Sequence, residues 1–341
     1  MHELDRRVRR WPGYLWRGLC CLRDMLKQAL FLILSVASTS ILSAQAPESP
    51  NGEKVFIAVV GGTTFGTPIE FAKGLADDEG SFSFHTRAGP SPVVYRKRYK
   101  GVPFYYIPIY GFMDKPKKEP DGIYHVRTWT ALYELGVTHA ISGATSGGIN
   151  PDMDFDDIVV IDDFIEWRAE RPNDVLAASG HSRPGIFPNF EIPLSPSIRA
   201  LLIDESRKHK SNTEYQGNIY ETGTFVQFAP GRFESPAEIR AMRKMGGELT
   251  SMNQATCIVY ARQFGIRYGS ICSISNPAVG VRPFTFAQMQ TSVQNIAAFA
   301  IPVVLETIAR IPTEAMGPEP SSSGDAFEGN YLDPNGKTEN D

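Results

Sequence analysis

The sequence predicts a single α/β domain built around a largely parallel or mixed β-sheet. Two observations carry this expectation. Short continuous apolar runs alternate with longer stretches of helical periodicity from residue 54 to residue 311. The apolar runs end in turns of glycine and small polar residues, as strands entering a ligand-binding edge do. Composition agrees, with 42% hydrophobic and 21% charged residues in a chain of 341, and no internal repeat is visible.

The chain opens on a different kind of segment. Residues 1–46 hold seven basic and three acidic side chains, so they carry +4 while the rest carries −8 of the overall −4. Residues 29–42 read ALFLILSVASTSIL, an apolar run of 14 preceded by Arg23 and Lys27 and followed by Ser43-Ala44-Gln45-Ala46. Basic, apolar and small-residue regions in that order predict a secretory signal peptide over 1–46, cut after Ala46. Secretion or export to the periplasm follows, with an N-terminal membrane anchor as the alternative. The run is short of the roughly 20 apolar residues of a full span. Met25 offers an alternative start. Residues 312–341, rich in Pro, Ser and Gly, predict a disordered tail. The folded domain is expected over 53–311.

Within it, residues 54–60 (KVFIAVV) read as a buried strand entering Gly61-Gly62-Thr63-Thr64. Residues 102–110 form a second strand candidate, rich in aromatic side chains. A helix over 127–135 ends at Gly136, and strands follow at 138–142 and 157–161. Ser195-Pro196 opens a helix to residue 208. A strand at 222–228, helices at 236–245 and 254–264, a strand at 266–273 and a long helix at 286–311 complete the domain.

Composition and motifs narrow the chemistry. A net charge of −4 gives no basic field for nucleic acid. The six histidines lack i, i+3 or i+4 pairing, so no metal site is expected. There is no GxSxG elbow, and Cys257 and Cys272 fall in a helix and a strand, as buried inert thiols. The turn GGTTFG lacks dinucleotide-binding spacing. What remains is a set of strand-end loops. Gly61 to Thr64 could wrap an anion with backbone N–H groups and two hydroxyls, or be a plain tight turn. SGATSGGIN (142–150) is a small-residue loop that a ligand could approach closely. Phe233 and Glu234 set an aromatic face beside a carboxylate, suited to a flat heterocycle. Asn276 follows the last strand.

These pieces, in this order, resemble the purine nucleoside phosphorylase and methylthioadenosine phosphorylase family. VVGGT (59–63), the segment 134–172 with SGATSGGINPDMDFDD, GRFES (231–235), ELTSMNQATC (248–257) and ICSISN (271–276) carry the resemblance over most of 54–311. It implies a central mixed sheet curling toward a barrel, flanked by helices, usually in a homotrimer. It implies an enzyme, a pentosyltransferase that needs no cofactor and uses phosphate as co-substrate to cleave purine nucleosides. Phe233 then packs on the purine and Glu234 accepts from N1–H. Asn276 contacts N7 and the 6-substituent, and asparagine there goes with 6-oxopurines. Met252 lies under the ribose. Thr63, Ala144, Thr145 and Asn253 meet phosphate. The family's Arg-His-Gly phosphate motif is replaced by residues 109–114 (IYGFMD), its Ser or Thr after the methionine by Asn253, and its Pro-Glu by Thr256-Cys257. Lys115, Lys117 and Lys118, or an arginine such as Arg232 turned inward, could restore positive charge. A hydrolase using water, and a non-catalytic purine or nucleoside binder, are the alternatives.

Overall fold

A computed structural model describes residues 54–66, 70–109, 121–167, 171–181 and 188–312. The chain separates into Met1–Gln45, outside those residues, and Ala46–Asp341. The expected signal segment, the tail beyond residue 312 and the stretch 110–118 with its three lysines lie outside the described residues.

Strand β1 (Ile57–Gly61) runs into a 3-10 turn (Thr63–Phe65). Then come β2 (Asp77–Phe82), β3 (His85–Thr86), β4 (Gly89–Pro90), β5 (Val94–Tyr99) and β6 (Val102–Pro108). Helix α1 (Asp121–Glu134) leads to β7 (His139–Gly148), β8 (Ile158–Val160) and β9 (Asp163–Glu166). Helices α2 (Val175–Ala178) and α3 (Pro196–Ser211) precede β10 (Ile219–Tyr220) and β11 (Thr224–Gln227). The described chain closes with α4 (Pro236–Lys244), β12 (Leu249–Ser251), α5 (Gln254–Gln263), β13 (Arg267–Pro277) and α6 (Phe286–Arg310).

Among the described residues, eleven strands join in one mixed sheet with the path β10-β8-β13-β7-β1-β6-β5-β2. Its centre is parallel: β1 pairs with β6 and β7, and β13 with β7. A branch leaves from the end of β7, where β12 pairs antiparallel through Leu249 with Gly148 and Thr250 with Gly147, then β11 and β9 follow. The sheet is mixed and branched, and this pairing does not close into a barrel.

Alternation along β1 builds the two sides of the core. Ala58 and Val60 pack with Trp129 and Leu132 of α1 and with Ile258 and Tyr260 of α5. Ile57 and Val59 pack with Ile198 and Leu202 of α3 and with Phe299, Val303 and Ile308 of α6. Helices thus cover both faces, which explains why the central strands read as continuous apolar runs. Helix α6 is long and apolar enough to cross a membrane by length and composition, yet half of its most apolar stretch is buried here against the sheet. Ser195 caps α3 by accepting from the Ile198 N–H, with Pro196 in the first turn.

Several expectations are corrected. The small-residue stretch 142–150 is not a loop: β7 continues to Gly148. β13 likewise continues to Pro277 and includes Asn276. Helix α1 begins at Asp121, not at residue 127. Strand β5 (VYRKRY) escaped a hydropathy reading because Arg96 and Lys97 are buried, with Arg96 held 2.6 Å from Glu79 of β2. Burial of a cation is tolerated where a carboxylate pairs with it.

Candidate active site

A cavity of about 230 Å³ opens at the ends of β1, β7, β12 and β13. All eight side chains expected at a ligand site line it: Thr63, Ala144, Thr145, Phe233, Glu234, Met252, Asn253 and Asn276. Each reaches it for a local reason.

Thr63 opens the 3-10 turn after β1, closed by Phe65 N–H donating to the Gly62 carbonyl at 3.0 Å. Thr64 differs. It is fully buried and does not line the cavity, so one hydroxyl of this turn, not two, is open to the cavity. Gly143 lets the turn lie on β7: a Cβ at that position would sit 2.7 Å from the Ile271 carbonyl oxygen and 2.9 Å from Cζ of Phe65. The small residues of β7 therefore serve close packing as well as access to the cavity. Ala144 and Thr145 follow on the same strand, opposite Cys272 and Ser273 of β13.

Asn276 owes its aim to an irregularity. The β13–β7 register shifts between Ile274 and Asn276, so Ser275 is an extra residue and the strand turns locally. The Asn276 side chain is then fixed at both ends. Its Nδ2 donates to the Pro277 carbonyl at 2.9 Å, and its Oδ1 accepts from the Ser275 hydroxyl at 2.9 Å. One N–H and one lone-pair direction remain for a ligand.

Glu234 directly precedes α4, whose N-cap Ser235 forms a capping box with Glu238. The Glu234 side chain is buried, and Thr250 Oγ1 donates to its Oε1 at 2.9 Å. Burial pushes this carboxyl above its ordinary range, against the opposing pull of its own backbone N–H and of Thr250. The neighbouring Phe233 ring is 55% exposed, an available apolar face, and meets Phe284 edge-on at 6.5 Å. Arg232 does not line the cavity. Its guanidinium binds Glu238 at 2.8 Å and lies over the Phe228 ring. Among the described residues lining the cavity, Glu234 is the one side chain that carries charge.

Met252 and Asn253 form the turn from β12 into α5. Asn253 occupies the N-cap position but makes no capping bond, and its buried Oδ1 has no hydrogen-bond partner among the described residues. Such an atom in a cavity wall awaits a ligand donor or water. Ser275, Thr250 and Met289, the last from the start of α6, also line the cavity and were not expected. The alternation Leu249-Thr250-Ser251 could have marked Thr250 as facing one side of a strand. Nothing local marks Met289, which arrives through the packing of α6. The thiols of Cys257 and Cys272 are buried, and burial pushes that of Cys272 up to about 12.

Residues 123–309 match a family model described as "Phosphorylase superfamily". The chain is 32% identical over 197 residues to a 6-oxopurine nucleoside phosphorylase of Pyrococcus furiosus, covering 56% of this chain and 71% of that one. It is 29% identical over 198 residues to a probable S-methyl-5'-thioinosine phosphorylase of Methanopyrus kandleri, covering 57% and 73%. Among solved structures, a variant adenosine/methylthioadenosine phosphorylase of Schistosoma mansoni in complex with methylthioadenosine superposes with a TM-score of 0.66. That likeness covers 77% of this chain and 93% of the other at 20% identity, and concerns the fold.

Proposed function

The chain belongs to the nucleoside phosphorylase superfamily, and from that premise we propose that it cleaves 6-oxopurine nucleosides with phosphate as the acceptor. The observation that carries this reading is the juxtaposition, in one cavity, of a buried carboxylate, an oriented asparagine amide and an open aromatic face. A 6-oxopurine presents N1–H to an acceptor and O6 and N7 to a donor. Glu234 supplies the first and the spare N–H of Asn276 the second. Phe233 covers the ring, and Met252 lies under the sugar.

The chemistry then follows from charge. As the bond from C1′ to N9 breaks, its electron pair leaves with the purine and the sugar becomes cationic. A phosphate oxygen forms the new bond to C1′, and the proton of hydrogen phosphate ends on the base. The products are the free purine and the sugar 1-phosphate. An amide preoriented at N7 and O6 stabilises the developing negative charge without reorganising, which is where an enzyme gains most. Thr63, Ala144, Thr145 and Asn253, which line the same cavity, are the groups assigned to phosphate. The purine relatives support the choice of base.

A second reading, with water in place of phosphate, is favoured by Asn253. Its Oδ1 is an acceptor that suits a water donor better than an anion. Release of hypoxanthine from inosine, followed with and without phosphate, decides between the two. Turnover that requires phosphate supports phosphorolysis, phosphate-independent turnover supports hydrolysis, and binding without turnover makes the protein a nucleoside binder. We further propose export, on the basic, apolar and small-residue order of residues 1–46, and assembly as a homotrimer, on the family resemblance.

A further inference from the structure

Behind the wall formed by Met252 and Asn253 lies a buried polar group that the proposed reaction does not use. Arg171 is 8% exposed, and its Nη1 donates both to the Met252 carbonyl at 2.8 Å and to Thr256 Oγ1 at 3.0 Å. Gln227, at the end of β11, is fully buried and grips the same residue from the other side. Its Nε2 donates to Thr256 Oγ1 at 2.7 Å, and its Oε1 accepts from the Thr256 N–H at 2.9 Å.

The last of these bonds changes what Asn253 can do. The first turn of a helix leaves N–H groups without intrahelical partners, and an N-cap asparagine commonly satisfies the one on the third residue. In α5 that residue is Thr256, and Gln227 has taken its N–H. The Asn253 amide is thereby released from capping, and its buried Oδ1 has no partner. Meanwhile the Arg171 guanidinium ties the carbonyl just before the cap to a hydroxyl on the helix's first turn. One nitrogen serves both acceptors, and a lysine ammonium ends one bond nearer the backbone than that nitrogen.

We propose that Arg171, Gln227 and Thr256 form a positioning clamp that sets Met252 against the sugar and frees Asn253 for the anion or water at C1′. The clamp rests on the nucleoside-cleaving reading above. It replaces, with a hydroxyl held by two donors, the proline that the family pattern places at Thr256.

Thr256→Val keeps the shape and removes the acceptor shared by Arg171 and Gln227. The expected result is a rise of about tenfold in the KM for inosine and for the acceptor, with the Kd for free hypoxanthine unchanged, because Glu234 and Asn276 stand on other elements. Thr256→Ser restores both KM values. Arg171→Lys, which keeps the charge, is the second variant and shifts the same two constants should the valine variant not fold. A purely structural role would reduce the active fraction and leave each KM as it was. Unchanged KM values in a folded Thr256→Val or Arg171→Lys, or hypoxanthine affinity falling in parallel, overturn the clamp. A wild-type protein that turns over inosine while the variants match it overturns the clamp alone. A wild-type protein that neither binds hypoxanthine nor releases it from inosine overturns the reading of the site and the clamp together.

Discussion

On the proposed reading, Asn276 and Glu234 divide the recognition of the base between them, and each yields a test. In Asn276→Asp, a carboxylate faces O6 where the amide offered an N–H, and a 6-amino group becomes the better partner. Each mismatched hydrogen bond is worth about 1–3 kcal/mol. The ratio of kcat/KM for inosine to that for adenosine should therefore fall by roughly ten- to a hundredfold by the 1.4 kcal/mol per decade rule. Wild-type preference for adenosine would contradict the assignment at the outset. Glu234 makes the base site sensitive to acid. Burial holds its carboxyl above the ordinary range, and the anion is the stronger acceptor for N1–H, by the gain of a charge-assisted hydrogen bond. Hypoxanthine affinity is then full above the raised pKa and falls as pH drops through it, at a higher pH than an ordinary glutamate would impose. Glu234→Gln removes that acid limb, which a binding titration against pH will show. For folding the sign is reversed. The native carboxyl holds its proton more tightly than the unfolded one, so this group's contribution to stability declines as pH rises between the two values.

Strand ends, taken as elements, impose tight constraints of their own. Gly143→Ala places a methyl 2.7 Å from the Ile271 carbonyl, a backbone atom of the neighbouring strand that cannot easily move. Overpacking of this kind costs about 1–3 kcal/mol, measurable by urea denaturation. The same methyl meets Phe65, so the turn that carries Thr63 shifts, and the KM for the acceptor should rise with the loss of stability. This position also shows what the sequence makes legible. The glycine turn at Gly61-Gly62 marks Thr63 as lying at a strand end, and a strand at 222–228 followed by a helix at 236–245 leaves Phe233 and Glu234 in the loop between them. A run such as SGATSGGIN reads as a loop because small residues have low strand propensity. In the fold it is strand β7, since three neighbouring strands supply the hydrogen bonds that propensity does not anticipate. Arg171 and Gln227 were illegible for a related reason: buried polar clamps leave no periodic trace, and their partners lie up to 85 residues away.

At the scale of the whole molecule, the basic head and apolar run of residues 1–46 predict a mature N-terminus near Pro47. Mass spectrometry of the exported protein checks this, and a mature chain that retains residues 1–46 contradicts it. The site also depends on the whole domain, because its walls run from Thr63 to Met289 in sequence and meet only in the finished sheet. A ligand that binds only the folded form stabilises it by about 2.7 kcal/mol at a hundred times its Kd, so hypoxanthine should raise the Tm by several degrees in a thermal scan. No shift at saturating hypoxanthine would mean that the base does not bind. The place of β13 in the sheet carries this further. Its partner β7 is made more than a hundred residues earlier during synthesis, and Asn276 joins Thr145 and Gly147 only when the two strands meet. A nascent chain still lacking β13 therefore lacks Asn276 and with it a complete lining of the cavity. On the proposed reading, purine binding thus reports that synthesis has passed β13, and chains terminated before it do not bind.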